Sequence, residues 1–275
     1  MMVSGGYLTP AQRAARLALR LFVALACAFL ILPIVAIIPI SFSSGSFLSY
    51  PLPGLSWQWY ENVLRPTPWL ESTWNSLIIA VGATTLATVL GTLAAYGLTS
   101  AKFPGHALVV GLIISPLIVP LIIIALGVYF FFARVGLLGT FAGLILAHTA
   151  LGVPFVVISV MASLAGFDRR LVRASESLGA RPTTTFRVIT LPLIAPGVVS
   201  GALFAFITSF DEIVVALFIA SPAQFTLPRQ LFAGLRDQLD PSIVAIATLL
   251  ILFTAGLLGL FEVLRRRTAR IVGKT

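Results

Sequence analysis

Apolar residues along the chain occur in long continuous runs, separated by shorter segments that carry most of the charge. A run of about 20 apolar residues is long enough for an α-helix to cross a hydrocarbon layer of about 30 Å. A membrane β-barrel would instead show short strands of alternating apolar and polar residues. The pattern therefore predicts an all-α membrane protein with about six transmembrane helices, at residues 17–40, 76–99, 107–132, 138–163, 193–220 and 241–264.

The composition agrees with this prediction. Of the 275 residues, 59% are apolar and only 10% are charged, and the mean hydropathy is +1.05. A soluble domain would carry about a quarter charged residues. The first run is too long for the core of a signal peptide and has no clear cleavage site after it, so we interpret it as an uncleaved span. The single cysteine, Cys27, excludes an internal disulfide bond and a thiolate metal cluster.

Lysine and arginine are distributed unequally between alternate polar segments, and in membrane proteins these residues gather on the cytoplasmic side. An even number of spans puts both termini on one side of the membrane. With the termini inside, the inner segments hold 14 of the 18 basic residues, and the outer segments hold only Arg65, Arg134, Arg229 and Arg236. We therefore expect both termini in the cytoplasm. The same bias explains the net charge of +9, so lipid is expected around the chain and no nucleic acid is expected as a partner.

Three regions follow from this layout. Residues 1–75 comprise an N-terminal tail, the first span and a long outer loop, residues 76–264 form a core domain, and residues 265–275 form a basic cytoplasmic tail. Aromatic residues in the outer loop suit an amphipathic segment at the membrane surface; they are Trp57, Trp59, Tyr60, Trp69 and Trp74.

Two features within the spans predict how the helices pack. Small residues at four-residue spacing in the second span indicate a face for close helix contact; they are Ala83, Ala87, Gly91 and Ala95. Prolines in the third and fourth spans remove backbone hydrogen bonds and bend a helix; they are Pro116, Pro120 and Pro154.

The cytoplasmic segment 164–192 between spans four and five is unusually long and polar. Within it, Leu171, Ala174, Ser175 and Leu178 follow the i, i+3, i+4, i+7 spacing of one helix face. Gly179 is placed to end this short helix, and Pro182 and Pro192 are placed to begin the next helical pieces. So short a helix needs support from its own bundle, the lipid surface or another protein.

The end of this segment resembles the permease subunits of ATP-binding-cassette importers. Those subunits carry E-A-A, three residues, glycine, nine residues, then I-x-L-P. Here Arg173, Ala174 and Ser175 occupy the first three places, and Gly179, Ile189, Leu191 and Pro192 occupy the later ones. Arg173 replaces the family's glutamate, which contacts the ATPase, and Glu176 offers a carboxylate three residues later.

The resemblance implies a binding-protein-dependent importer permease fold whose segment 164–192 forms helices that couple to an ATPase. The implied partners are a dimer of cytoplasmic ATPases, a second permease subunit and a periplasmic or extracellular solute-binding protein. The implied location is the bacterial inner membrane. This chain contains no GxxxxGK[ST] phosphate loop, so ATP hydrolysis is expected of a separate subunit and no cofactor is expected here.

Two carboxylates interrupt the apolar run of the fifth predicted span, at Asp211 and Glu212. A carboxylate at membrane depth costs several kcal/mol and usually marks a functional site. Adjacent residues of a helix point about 100° apart, so we expect one to face the translocation path and the other a neighbouring helix, with Thr208 a turn below. An ion pair or hydrogen bond with another subunit is the alternative. The surrounding sequence resembles the spermidine/putrescine branch of the permeases, which implies a small cationic solute.

Other functions fit the sequence less well. Related permeases carry opines, aminophosphonates, iron or thiamine, and a self-sufficient secondary transporter is a further alternative. His106 and His148 lack metal-ligand spacing and are interpreted as a loop residue and a packed helix residue. No pair of nucleophile and base is present, so a membrane-embedded enzyme is not predicted.

Overall fold

The structure is a computed structural model that describes residues 9–65, 67–100, 103–237 and 241–271, with the backbone alone for residue 237 and residues 264–271. Within these ranges the chain is helical apart from its loops and one isolated antiparallel bridge between Ser43 and Leu55. The helices are α1 (Pro10–Ile40), α2 (Gln58–Leu64), α3 (Pro68–Ser100), α4 (His106–Ile114), α5 (Leu121–Val135), α6 (Phe141–Ala165), α7 (Arg170–Ser177), α8 (Pro182–Thr185), α9 (Leu191–Phe210), α10 (Val214–Ile219), α11 (Leu227–Asp237) and α12 (Ser242–Ile271).

The prediction of about six apolar helices is confirmed. Among the described residues, five helical stretches are long and apolar enough to cross a membrane, namely Pro10–Ile40, Pro68–Ser100, Phe141–Ala165, Pro182–Phe210 and Ser242–Val263. A bent pair, His106–Leu117 with Leu121–Val135, would provide a sixth as a broken span or a re-entrant loop.

Two helices begin earlier than the apolar pattern predicted. α1 begins at Pro10 because Thr9 and Gln12 form a reciprocal capping box, with each side chain bonded to the other's backbone N–H. α3 begins at Pro68 instead of residue 76. Its polar first turns are held by contacts within the fold, since the Asn75 side chain donates hydrogen bonds to the carbonyls of Ala223 and Phe225 at 3.2 and 3.0 Å.

The third predicted span, 107–132, is not one helix. α4 leads into a short 3₁₀ turn at Ser115–Leu117, and α5 then leaves at an angle of 101°. Pro116 and Pro120 flank the bend, and each lacks the N–H that a continuous helix would use. The predicted bend is confirmed, and it is sharp enough to separate two helices. α6, in contrast, continues through Pro154.

The fifth predicted span, 193–220, is likewise not one continuous helix, so this prediction is wrong. The helical stretch runs from Pro182 through a π-helical turn at Phe186–Thr190 and ends at Phe210. Asp211 is the C-cap of α9, and α10 begins at Val214. The two carboxylates therefore lie in a break between helices. The chain breaks here because the Glu212 side chain, described below, takes over hydrogen bonds at the start of α10.

The described residues form two compact units. The first comprises residues 9–63 and 241–251. Its loop after α1 is held by buried contacts, including a hydrogen bond of 2.6 Å between Ser41 Oγ and the Tyr60 hydroxyl. The rings of Phe42, Trp57 and Tyr60 pack together with centroids 4.9 to 5.5 Å apart. The loop after α1 is therefore organised around a packed cluster of aromatic side chains.

The second unit, residues 64–237 and 252–271 with residues 66 and 101–102 not described, contains both candidate sites. Its centre is formed by α3, α6 and α9. The stripe of small residues predicted on α3 is buried throughout, which confirms it as a helix-contact face. A Cβ on Gly91 of α3 would lie 2.7 Å from Val156 Cβ, and a Cβ on Gly201 of α9 would lie 2.7 Å from Val156 Cα. Both helices thus approach α6 at the same residue, at distances that only glycine allows.

Candidate functional site

The polar segment between α6 and α9 forms the helices that the sequence predicted. The Asp168 carboxylate accepts a hydrogen bond from the Arg170 N–H at 2.9 Å, and α7 follows as an amphipathic helix of 8 residues. Gly179 ends it in the left-handed conformation, with φ of 79°. The Gly179 and Ala180 N–H groups bond to the carbonyls of Glu176 and Ser175 at 2.9 and 3.1 Å. This is a complete Schellman cap, so the predicted role of Gly179 is confirmed.

One contact joins α7 to α8, and two others join this segment to α3. Ser175, at the third position of the E-A-A pattern, is buried, and its hydroxyl lies 2.9 Å from the Thr185 hydroxyl of α8. The Arg169 guanidinium donates to the carbonyl of Thr99 in the last turn of α3. The Tyr96 ring of α3 packs on Phe186 with centroids 4.9 Å apart. α7 is therefore fixed to α8 and, through Arg169 at its N-terminus, to the end of α3, and it is not a loose linker.

The apolar face of α7 is largely uncovered by the described residues. Leu171 is 44% exposed, Leu178 is 88% exposed, and Ala174 is also exposed. Arg173 and Glu176 are exposed as well and line a cavity of about 490 Å³ between α7, the end of α3 and the π-helical turn. Of the later motif residues, Ile189 and Leu191 are half-buried and Pro192 is exposed.

A second cavity, of about 660 Å³, lies beside the break between α9 and α10. Asp211 is exposed and lines it, and half-buried Thr208 lines it one turn earlier on α9. Most of the remaining wall is apolar and comes from the bend between α4 and α5 and from α6, including Pro116, Pro120, Leu151 and Phe155. The cavity therefore presents one exposed carboxylate among apolar and aromatic surfaces.

Glu212, the neighbour of Asp211, has a different environment. Its side chain is 2% exposed, and its two carboxylate oxygens accept hydrogen bonds from the N–H groups of Val215 at 2.8 Å and Ala216 at 3.1 Å. The carboxylate thus caps α10, where a negative charge also complements the helix dipole. The two acids therefore have different surroundings: Asp211 is exposed and lines the cavity, and Glu212 is buried. That one of them faces a translocation path stays a prediction.

Sequence reasoning missed the partner of Glu212. His148 of α6 is buried, with Nε2 lying 3.6 Å from Glu212 Oε2 and Nδ1 lying 2.9 Å from Ser209 Oγ. The prediction of a packed helix residue is confirmed, but nothing in the sequence indicated this contact across 64 positions. The available signal was that both an imidazole and a carboxylate lie in apolar runs, where each needs a polar partner. The interpretation of His106 as a loop residue is wrong, because His106 is the first residue of α4; its ring Nε2 lies 3.0 Å from the Leu98 carbonyl oxygen.

Comparison with known proteins supports the resemblance noted in the sequence. Residues 87–270 match the family described as the binding-protein-dependent transport system inner membrane component. The chain is 34% identical over 241 residues to the spermidine/putrescine transport system permease protein PotC of Haemophilus influenzae, covering 87% of this chain and 93% of that protein. It is also 34% identical over 242 residues to the putrescine transport system permease protein PotI of Escherichia coli K12, covering 84% of each.

Solved structures agree on the fold. A bacterial ABC transporter involved in the import of the acidic polysaccharide alginate matches with a TM-score of 0.71 and 14% identity, covering 95% of this chain and 99% of that one. The MetNI methionine ABC transporter matches with a TM-score of 0.57 and 20% identity, covering 74% and 95%. The chain therefore belongs to the family of inner-membrane components of binding-protein-dependent transport systems, the permease subunits of ABC importers.

Proposed function

We propose that this permease carries a polyamine, a small solute with several ammonium groups joined by methylene chains. The observation that carries the proposal is the exposed carboxylate of Asp211 in a cavity of about 660 Å³ with mainly apolar walls. An ammonium group binds a carboxylate and is also attracted to the face of an aromatic ring such as Phe155. Methylene groups suit the apolar walls, and Thr208 adds a hydroxyl that can accept a hydrogen bond.

The names of the relatives support the same solute class, since PotC and PotI are permeases of spermidine/putrescine and putrescine transport systems. The partners in the proposal are a dimer of ATPases, a second permease subunit of different sequence and an external solute-binding protein. The ATPase binds α7, whose exposed apolar residues Leu171, Ala174 and Leu178 supply a contact face. Arg173 and Glu176 lie beside this face. In the proposal both termini, and therefore α7, lie in the cytoplasm of a bacterium.

Uptake by the complete transporter in vesicles tests the solute proposal. Asp211→Asn removes one charge with little change of shape. We expect it to raise KM for a divalent polyamine about tenfold. This factor corresponds to the loss of one charge-assisted hydrogen bond, whose free-energy contribution is reduced because Asp211 is exposed to solvent. Vmax should change less than KM. KM should rise more for a trivalent polyamine than for a monovalent amine, because the electrostatic interaction with Asp211 scales with the charge of the solute.

Glu71→Gln is the matched control. Glu71 is an exposed carboxylate of the same unit, in the first turn of α3, and it does not line the cavity. KM should stay at the wild-type value in this variant. An Asp211→Asn transporter that keeps wild-type KM for every polyamine, in the presence of normal ATPase activity, would show that Asp211 does not bind the solute.

A further inference from the structure

Glu212, at the break between α9 and α10, lies at the edge of the second cavity but has a buried carboxylate. Both of its oxygens are directed inward, to the N–H groups of Val215 and Ala216, and its side chain is 2% exposed. Each oxygen can still accept a further hydrogen bond, but with only 2% of the side chain exposed the carboxylate is shielded from a solute ammonium. Although Glu212 is part of the cavity boundary, its contacts are those of a structural cap.

His148 connects this cap to α6 and to the end of α9. Its Nδ1 lies 2.9 Å from Ser209 Oγ, and its Nε2 lies 3.6 Å from Glu212 Oε2. Nδ1 also lies 3.1 Å from the Ser209 carbonyl oxygen. In the tautomer with the proton on Nδ1, the ring donates to Ser209; in the tautomer with the proton on Nε2, the proton is directed at the Glu212 carboxylate. Nε2 is buried and has no hydrogen bond within the described residues, and the Glu212 carboxylate is the charged group beside it.

The far end of α10 is held in a similar way. The Arg229 guanidinium donates to the carbonyl of Ala220 at 2.7 Å and to that of Ala216 at 3.4 Å, and it lies 4.1 Å from the centre of the Phe225 ring. Partial burial lowers the pKa of Arg229, but an arginine starts so high that it stays charged. A helix of 6 residues is too short to be stable alone. α10 therefore has a carboxylate at its N-terminus and a cation at its C-terminus, each complementing the helix dipole.

Asp211 depends on this arrangement because it directly precedes the cap. The backbone leaves the α9 helix at Asp211, with φ and ψ of −92° and 1°, and passes through Ile213 before α10 begins. The direction of the Asp211 side chain is thus set by where Glu212 is anchored. Without the anchor, nothing in the apolar sequence Ile213–Ile219 would stop α9 from continuing through the break.

We propose that Glu212 and His148 are positioning residues, which hold the break between α9 and α10 so that the Asp211 carboxylate faces the cavity. They do not themselves contact the solute. The inference rests on the proposed function for its transport readout, and it also has a readout that needs no transport.

Glu212→Gln and Glu212→Ala separate positioning from solute binding. Glutamine keeps an oxygen that can cap α10, so KM for a divalent polyamine should stay within about twofold of wild type. Alanine removes both acceptors and should raise KM about tenfold, which is the increase expected for Asp211→Asn. Because both changes act through one carboxylate, the double variant Asp211→Asn with Glu212→Ala should be no worse than either single variant. Glutamine raising KM as much as Asp211→Asn would instead make Glu212 a solute ligand and overturn the proposal.

The second readout is the rate at which a charged thiol reagent modifies Asp211→Cys in the complete transporter, measured by mass spectrometry of this chain. Cys27, the one native cysteine, is replaced by serine. Adding Glu212→Ala should change the rate by about threefold or more, because the local structure opens, whereas adding Glu212→Gln should leave it near the starting value. Equal rates in all three proteins would overturn the proposal, whatever the solute is.

His148→Leu keeps the test decisive if Glu212→Ala does not reach the membrane. Leucine fills a similar space but leaves Ser209 and Glu212 without the imidazole, so the modification rate should shift in the same direction. His148→Gln retains a side-chain donor and should shift it less. A purely structural role predicts lower protein yield with unchanged KM and unchanged modification rate in the protein that remains, and that result would refute positioning.

Discussion

Replacing Gly179 with valine tests whether the capped geometry of α7 matters for coupling to the ATPase. No atom lies within 4 Å of the position that a Cβ would take at Gly179, so the substitution creates no clash. Its cost comes from the backbone, whose φ of 79° is unfavourable for any residue with a Cβ. That cost is about 1–2 kcal/mol for an ordinary residue, and a β-branched residue is at the upper end or beyond.

The backbone cost of the Gly179→Val substitution also sets how far import per ATP should fall. A change of about 1–2 kcal/mol lowers the equilibrium constant between the capped and uncapped forms about 5- to 30-fold. The Schellman hydrogen bonds from Gly179 and Ala180 to the last turn of α7 are lost with it. The amount of polyamine imported per ATP hydrolysed, measured in vesicles with all subunits present, should fall measurably, by up to that factor. Yield in the membrane should not change, because the apolar spans are untouched.

Gly136→Val is the matched control. Gly136 also has a positive φ, of 74°, ends α5, and has no atom within 4 Å of a Cβ. It carries the same backbone cost at a site outside the coupling segment, so import per ATP should stay normal. Equal import per ATP in the two variants would refute the idea that α7 must keep its cap to transmit the effect of ATP hydrolysis.

Two further predictions concern stability, measured as the unfolding temperature of the detergent-solubilised transporter. Ser175→Ala and Thr185→Val should each cost about 1–3 kcal/mol, because each leaves the other's buried hydroxyl unpaired. The double variant should recover part of that loss, and simple additivity would count against the contact. Gly91→Val should cost at least about 1–3 kcal/mol by overpacking against Val156. Gly256→Val, whose Cβ would meet nothing within 4 Å, should leave the unfolding temperature nearly unchanged.

The coupling segment could be predicted from the sequence because its determinants are local. The helix face of α7, the glycine that ends it and the proline that begins α8 all act within a few residues of where they stand. Each has one strongly preferred backbone role. The small-residue stripe on α3 was predictable for a similar reason, since its four-residue period is a property of one helix.

The break at Asp211 could not be predicted in the same way. The apolar run 193–220 is long and continuous apart from its two acids, so hydropathy alone favours one helix. Within that run Glu212 caps α10 with both carboxylate oxygens, and it lies 3.6 Å from His148 of another helix. Contacts between distant positions leave no periodic signal in a single sequence. The early start of α3 could not be predicted for a related reason. Its polar first turns are stabilised by hydrogen bonds from the Asn75 side chain to the carbonyls of Ala223 and Phe225, which lie far along the chain.

One helical stretch connects the two candidate sites. It runs without interruption from Pro182, beside α7, to Phe210, beside the cavity, over 29 residues, which is roughly 40 Å at the rise of an α-helix. At one end Thr185 binds Ser175 of α7, and at the other Asp211 begins the break. Under the proposed function, a displacement of α7 by an ATPase would be carried along this stretch toward Asp211, because a helix moves largely as one body. The π-helical turn at Phe186–Thr190 is the part of this stretch with irregular hydrogen bonding, and such turns often lie at functional sites.

Under the proposed function, the buried pair of His148 and Glu212 opposes that displacement by holding the far end of the helix to α6. The Asp211 carboxylate, which faces the solute, therefore moves only when the contacts between His148, Ser209 and Glu212 break.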